Sequence, residues 1–160
     1  MQIIKNHLKR YLQRQPWPFC WRIGVESTVV SIIVATLLLA FGVPERELPN
    51  WSMGGIFVAI VLLAPPLETL LMQAFPIFIA RKLKASFRTQ VIIATAIFAA
   101  CHLPEGFATL ISAGVIGGFY FSFAYAHWRT KSRWQAFWVT TGGHAIHNAI
   151  AFVLMWICGI

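Results

Sequence analysis

Five long apolar runs, separated by short polar loops, constrain the fold of this sequence more than any other feature. The runs cover approximately residues 25–43, 53–80, 89–103, 107–127 and 134–158. A helix needs about 20 mostly apolar residues to cross the hydrocarbon core of a bilayer. A soluble domain would not need this much apolar surface, since the chain is 58% hydrophobic and 11% charged. The sequence therefore predicts an all-α membrane protein, a bundle of about five transmembrane helices.

The N-terminal segment has a different pattern. In residues 1–15 the apolar side chains recur at helical spacing, and basic residues occupy the remaining positions. This pattern is typical of a basic amphipathic helix that lies on the membrane surface. PWPFCW, residues 16–21, follows as a proline break with aromatic side chains that suit the interface. We therefore expect an interfacial segment at 1–22 and a single transmembrane domain at 23–160.

The number of lysine and arginine residues alternates between high and low from one loop to the next. The N-terminal segment carries five, the loop at 44–52 one, the loop at 81–88 four, the turn near Glu105 none and the loop at 128–133 three. Basic loops stay in the cytoplasm. The sequence thus predicts a multi-pass protein of the cell (inner) membrane with a cytoplasmic N-terminus. Because the basic residues sit in separate short loops, we expect them to meet anionic lipid head groups and not nucleic acid.

The second run is too long for a simple span. Its 28 positions would reach about 42 Å as a helix, against about 30 Å of hydrocarbon. Pro65 and Pro66 lie within it, and proline removes amide donors and frees carbonyls one turn earlier. Such a defect is tolerated in lipid where protein or water satisfies it. We therefore expect this helix to tilt or break near Pro65-Pro66, with a small polar niche beside Glu68.

A few strongly polar side chains lie inside the runs and reach a common depth. Measured from the basic loops at about 1.5 Å per residue, Glu68 lies about 20 Å in, His102 about 21 Å, His144 about 16 Å and Asn148 about 22 Å. An ionisable side chain at this depth usually marks a function. His144 and Asn148 are four residues apart and share a helix face, whereas His147 is expected to point to the side. The sequence predicts one site near the bilayer midplane.

These residue types suit hydrolysis. A carboxyl group such as Glu68 can act as a general base, and His102 can hold the same water or return the proton. His144 and Asn148 can donate hydrogen bonds to a developing oxyanion. This chemistry calls for no cofactor. A metal-dependent hydrolase remains an alternative, because Glu68, His102 and His144 would make a two-histidine, one-carboxylate set, although the spacing His-Glu-x-x-His is absent.

Two alternatives lie outside enzymology. In a non-catalytic binding or immunity protein, the same polar groups would shield a partner or tie helices together. A small proton-coupled transporter would predict inverted repeats with paired broken helices. The sequence has one such interrupted run, which disfavours the transporter.

Three short motifs give these residues a family resemblance. PPLETLLMQ (residues 65–73), FAACH (98–102) and HAIHN (144–148) occur in this order on three predicted spans. They resemble the motifs of the CAAX-protease and bacteriocin-processing (CPBP) family, which includes glutamate-type intramembrane endopeptidases. The resemblance covers residues 64–148. It implies that Glu68 and His102 activate the attacking water, and that His144 and Asn148 form an oxyanion pocket.

The same resemblance implies a substrate class. The family processes CAAX proteins, bacteriocins or pheromones, and C-terminal sorting tails. We therefore expect a peptide or protein substrate with a membrane-embedded or lipid-anchored segment.

The first motif departs from the family pattern, Glu-Glu-x-x-x-Arg, at two positions. The second glutamate is replaced by Thr69 and the arginine by Gln73. One negative and one positive charge are lost together, so we hypothesise that a supporting ion pair is replaced by a neutral Thr–Gln contact. The departures leave room for a non-catalytic member of the family.

Overall fold

A computed structural model describes residues 15–44 and 50–158. These ranges contain five helices and no strand. The helices are α1 (Pro16–Ala40), α2 (Met53–Lys82), α3 (Phe87–His102), α4 (Phe107–Arg129) and α5 (Arg133–Cys158). The predicted all-α fold is confirmed. The amphipathic helix predicted over residues 1–15 lies, apart from its last residue, outside the described residues.

Helices α1 to α4 are long and apolar enough to cross a bilayer. The chain is therefore a membrane protein. Helix α5 is also long, at 26 residues, but three polar residues lower its hydropathy: His144, His147 and Asn148. That α5 crosses the membrane too stays a prediction.

The first helix starts at Pro16, earlier than the predicted run at 25–43. Proline suits the first turn of a helix, because the amide hydrogen that it lacks would have no partner there. Phe19 and Cys20 then face the interior and are buried, and the Cys20 thiol donates to the Val139 carbonyl at 3.3 Å. The segment predicted as a proline break is therefore the first turns of α1. The domain boundary at residue 22 stays a prediction.

The helices approach each other closely where small residues face a neighbour. α1 packs mainly against α5, and α4 packs against α3 and α5. A Cβ atom at Gly24 would lie 2.6 Å from Ile146 Cγ2, and one at Gly114 would lie 2.9 Å from Ala99 Cα. Gly24 thus allows α1 to approach α5, and Gly114 allows α4 to approach α3.

Helix α2 divides sharply into a lipid-facing and an inward-facing side. Apolar side chains on the outer side are each more than half exposed in the isolated chain: Leu62, Leu63, Leu67, Leu70 and Leu71. On the inner side Pro65, Thr69 and Gln73 are buried. Glu68 lies between the two sides, at the edge of the bundle interior.

The irregularity predicted at Pro65-Pro66 takes the form of two π-helical stretches, and the helix does not end there. Val58–Leu63 and Thr69–Ala74 are π-helical, on either side of a short α-helical segment, Ala64–Glu68. The Ala64 amide donates to the Ala59 carbonyl, five residues back. In the same pattern the Ile60 carbonyl would need an amide hydrogen at Pro65, which proline lacks. The wider π-helical turns accommodate the amide hydrogens that the prolines lack, and the helix continues without a break.

Candidate active site

A partly open cavity of about 300 Å³ lies between α2, α3, α4 and α5. Its apolar wall includes small residues of α2 and the rings of Phe98 and Phe121. Its polar lining consists of Glu68, His102, Glu105, Thr109, His144, His147 and Asn148. All four side chains that the sequence singles out for chemistry, Glu68, His102, His144 and Asn148, therefore line one space.

Glu68 and His144 form the centre of this site. Glu68 Oε2 lies 3.7 Å from His144 Nε2, and the two side chains are 23% and 4% exposed. The separation is wider than a direct hydrogen bond, so a small polar molecule could interact with both groups. A buried imidazole opposite a carboxylate is an arrangement that can take up and return a proton.

Two aromatic rings hold the His144 ring in place. It stacks on Phe121 with ring centroids 4.2 Å apart and meets the edge of Phe98 at 5.8 Å. Nδ1 of His144 is buried and has no hydrogen-bond partner among the described residues. A neutral imidazole carries a single N–H. Because Nε2 faces the carboxylate of Glu68, we expect the proton to be on Nε2, where it can be donated.

His102 is oriented by its own helix. Its Nδ1 lies 2.8 Å from the Phe98 carbonyl one turn earlier, and its ring stacks on Phe98 at 4.5 Å. A carbonyl can only accept a hydrogen bond, so Nδ1 carries the proton and Nε2 of the neutral ring is an acceptor. The four-residue spacing of the Phe-x-x-x-His motif places the ring and the carbonyl on the same helix face.

Asn148 connects the site to the irregular part of α2. Its Nδ2 donates to the Ile60 carbonyl at 2.6 Å, the carbonyl that Pro65 leaves without a helical donor. The predicted polar niche is thus filled by a side chain of α5. An amide nitrogen has two hydrogens, so the second N–H and the Oδ1 atom of Asn148 are available for other partners.

The sequence-based predictions missed or misplaced three polar residues: His147, Glu105 and Glu26. His147 was expected to point aside, yet it also lines the cavity. Ser27 Oγ donates to the Gly24 carbonyl and lies 2.8 Å from His147 Nδ1, which ties α5 to α1. Glu105 lines the cavity from the 3₁₀ turn that follows α3. Glu26 lies within α1 and pairs with Arg22 at 2.6 Å, one turn away.

Thr69 and Gln73 do not form the predicted contact. Both are fully buried, but neither Thr69 Oγ1 nor either polar atom of the Gln73 side chain has a hydrogen-bond partner within the described ranges. The expectation of a neutral Thr–Gln hydrogen bond is wrong. Both residues lie in the π-helical stretch Thr69–Ala74, whose turns are wider than α-helical turns.

In residues 15–44 and 50–157 no three histidine, cysteine or carboxylate side chains lie close enough together to hold a metal ion. The two-histidine, one-carboxylate set of the alternative interpretation is therefore not assembled within these ranges.

The fold and the site together define a class: a helical membrane protein with an acid–histidine–amide site inside its bundle. The family model "Type II CAAX prenyl endopeptidase Rce1-like" matches residues 49–150, more than half of the chain. The protein therefore belongs to the Rce1-like group of the CPBP family, a family of membrane proteases. The match includes all three motifs. No curated protein and no solved structure matches the chain.

Proposed function

We propose that this protein is an intramembrane endopeptidase that cleaves peptide bonds with a water molecule activated by Glu68. The observation that carries the proposal is the placement of Glu68 opposite His144, in a cavity that His102 and Asn148 also line. Membership of a protease family supports the reaction type. The burial of the site supports strong electrostatic effects, because charges act more strongly away from bulk water.

In the proposed reaction Glu68 removes a proton from water while the Nε2 lone pair of His102 accepts the other water hydrogen. The oxygen attacks the carbonyl carbon of the scissile peptide bond. The negative charge that develops on the carbonyl oxygen is stabilised by hydrogen bonds from His144 Nε2–H and from the second N–H of Asn148. The proton held by Glu68 then passes to the leaving nitrogen as the C–N bond breaks. The products are a carboxylic acid and an amine, and transfer of the remaining proton between them gives a carboxylate and an ammonium group.

The proposed substrate is a peptide or protein tail that carries a membrane-embedded or lipid-anchored segment. A site inside the bundle is suited to a chain segment that is already at the membrane. Exposed basic side chains gather at the end of the bundle that holds the α2–α3 and α4–α5 turns: Arg81, Lys82, Lys84, Arg88, Lys131 and Arg133. We propose that this end rests on anionic lipid head groups at the cytoplasmic surface of the cell membrane.

The test compares membrane peptides from cells that express the wild type and Glu68→Gln. Gln keeps the shape and the hydrogen-bonding capacity of the side chain but cannot accept a proton from water at neutral pH. Cleavage should fall at least about 100-fold, with the thermal unfolding midpoint in detergent unchanged within a few degrees. The matched control is Glu26→Gln, which also neutralises a carboxylate on an apolar helix but lies outside the cavity; it should leave the cleavage products in place.

Two outcomes would contradict the proposal. If Glu68→Gln supports the same cleavage products or the same cellular phenotype as the wild type, the protein acts as a non-catalytic binding member of its family, as the departures at Thr69 and Gln73 allow. If cleavage disappears on treatment with a metal chelator and returns with added metal, the reaction is metal-dependent and the role given to Glu68 is wrong.

A further inference from the structure

Four polar side chains on α2, α4 and α5 are fully buried near the residues of the candidate active site. Thr69, Gln73, Ser122 and Thr140 are all fully buried. Their side-chain oxygens, and the Gln73 amide nitrogen, have no hydrogen-bond partner among the described residues. We call these four residues the polar layer.

The helix directions place Gln73 and Thr140 about one turn below the Glu68–His144 pair, and Thr69 directly follows Glu68. α2 and α5 run in opposite directions, so residues that follow Glu68 in α2 face residues that precede His144 in α5. Gln73 therefore lies level with Thr140, on the side of the α2–α3 and α4–α5 turns. Ser122 follows Phe121, whose ring stacks on His144. The π-helical stretch Thr69–Ala74 packs against α3, α4 and α5.

Two hydroxyl groups elsewhere in the bundle, one buried and one part-buried, bond to their own helix. The Thr28 hydroxyl donates to the Gly24 carbonyl and the Ser112 hydroxyl to the Ala108 carbonyl, each at 2.7 Å and one turn back along the helix. None of the hydroxyl groups in the polar layer makes such a bond within the described residues. Burying a hydroxyl or amide without a partner is costly, and proteins usually satisfy such groups with ordered water.

We infer that the polar layer is an internal hydration site: its hydroxyl groups and the Gln73 carboxamide bind water, and this water replaces the molecule consumed at Glu68. Thr69 adjoins Glu68 in sequence, and Thr140 lies one turn from His144, so bound water would lie within a short step of the reacting groups. Each hydrolysis consumes a water molecule, and lipid surrounds the outer side of α2. The delivery role rests on the proposed function, whereas the hydration site does not.

The experiment replaces each polar group by an apolar one of similar shape: Thr140→Val, Ser122→Ala and Gln73→Leu. If water bonds to these groups, each replacement removes hydrogen bonds. The thermal unfolding midpoint should fall, and cleavage should slow about fivefold. The matched control is Ser112→Ala, on the same helix as Ser122; its hydroxyl bonds to its own backbone, and its loss should leave cleavage unchanged. Thr140→Ser keeps the hydroxyl and should cleave faster than Thr140→Ala.

The stability and cleavage readouts separate the two parts of the inference. A dry polar layer would be stabilised by apolar replacement, so a raised unfolding midpoint in Thr140→Val and Ser122→Ala would overturn the hydration site. If the midpoints fall but the cleavage rates do not, the delivery role is wrong. If the wild type cleaves nothing, the proposed function fails while the midpoints still decide the hydration site. Should Thr140→Val not fold, the relative stability of Thr140→Ser and Thr140→Ala decides it at the same position.

Discussion

At the scale of the residue, the orientation of each imidazole depends on which nitrogen is already bonded. The bond from His102 Nδ1 to the Phe98 carbonyl leaves Nε2 as the acceptor. His102→Asn keeps a donor near the Nδ1 position but has no group at the Nε2 position. We expect this variant to retain its unfolding midpoint within a few degrees and to lose about 100-fold in cleavage rate. Thermal unfolding and peptide cleavage in detergent measure the two effects.

His102→Gln is the control for loss of the imidazole ring, because it changes the Nδ1 side and not the Nε2 side. His102→Gln can place a polar group near the Nε2 position but does not keep the Nδ1 bond to Phe98. It should be less stable than His102→Asn and should cleave at least as fast. If His102→Asn cleaves at the wild-type rate, Nε2 has no part in holding water.

Thr69 and Gln73 allow a second prediction at this scale. Thr69 is fully buried, so Thr69→Glu would place an uncompensated charge in the bundle and should destabilise the protein by about 3–5 kcal/mol. Adding Gln73→Arg supplies the opposite charge and should recover part of that loss. Thermal unfolding of the two single variants and the double variant gives the coupling energy. Additive losses would mean that the two positions do not form a pair, whatever their charges.

The sequence predicted the depth of the site residues more accurately than the direction of their side chains. The depth of Glu68, His102 and His144 follows from the positions of the loops and the fixed rise of a helix, which is why all three reach one cavity. Side-chain orientation depends on packing partners such as Phe121, which no spacing rule supplies. Glu105 lies in a turn, outside the apolar runs in which a polar residue indicates a function.

At the scale of the element, Asn148 of α5 supplies the hydrogen bond that Pro65 removes from α2. Asn148→Leu would leave the Ile60 carbonyl buried without a donor, and should destabilise the protein by about 1–3 kcal/mol. Pro65→Ala restores an amide hydrogen that continues the five-residue bonding pattern from Ala64 and reaches Ile60. In the Pro65→Ala background, Asn148→Leu should therefore cost about 1 kcal/mol less.

In this double-mutant cycle, the cleavage rate distinguishes the structural role of Asn148 from its proposed catalytic role. The double variant should regain stability but not cleavage, because the second N–H of Asn148 is also lost. Equal destabilisation by Asn148→Leu with and without Pro65 would show that the 2.6 Å bond to Ile60 is not what fixes the two helices.

The form of α2 illustrates what a sequence leaves open about an element. Its length and the double proline predicted an irregular helix with free carbonyls, and both features are present. A break in the helix and a widening into π-helical turns can both accommodate the amide hydrogens that the prolines lack. The choice between them depends on whether a neighbour reaches the freed carbonyl, and here Asn148 does so from a residue 88 positions away in sequence. No local pattern contains that information.

At the scale of the whole molecule, the cavity exists because antiparallel helices bring residues distant in sequence to one level. The loop charges predicted the direction of each helix, and those directions place Glu68 opposite His144. Close packing at Gly24 and Gly114 then sets how near the helices come. The sequence predicted convergence in depth, but the closeness of each pair of helices arises from shapes that meet only in the folded bundle.

The orientation of the bundle in the membrane is a prediction for the whole molecule. Single cysteines are introduced at Asn50, Lys82, Lys131 and Ile157 in a background of Cys20→Ser, Cys101→Ala and Cys158→Ala; Cys20→Ser keeps the donor to Val139. A membrane-impermeant thiol reagent added to intact cells should label positions 50 and 157. Positions 82 and 131 should react only after permeabilisation, because basic loops stay in the cytoplasm.

The label at position 157 is decisive for α5, which is not among the four described helices found long and apolar enough to cross a bilayer. Labelling from the same side as position 131 would mean that α5 turns back inside the membrane and that its C-terminal half does not cross. Labelling of positions 82 and 131 from outside would reverse the whole bundle, and the basic end would then face the outer surface. A helix that crosses fully places His144 and Asn148 near the bilayer midplane, where water is scarce and where both a proton acceptor at Glu68 and a bound supply of water have the greatest effect.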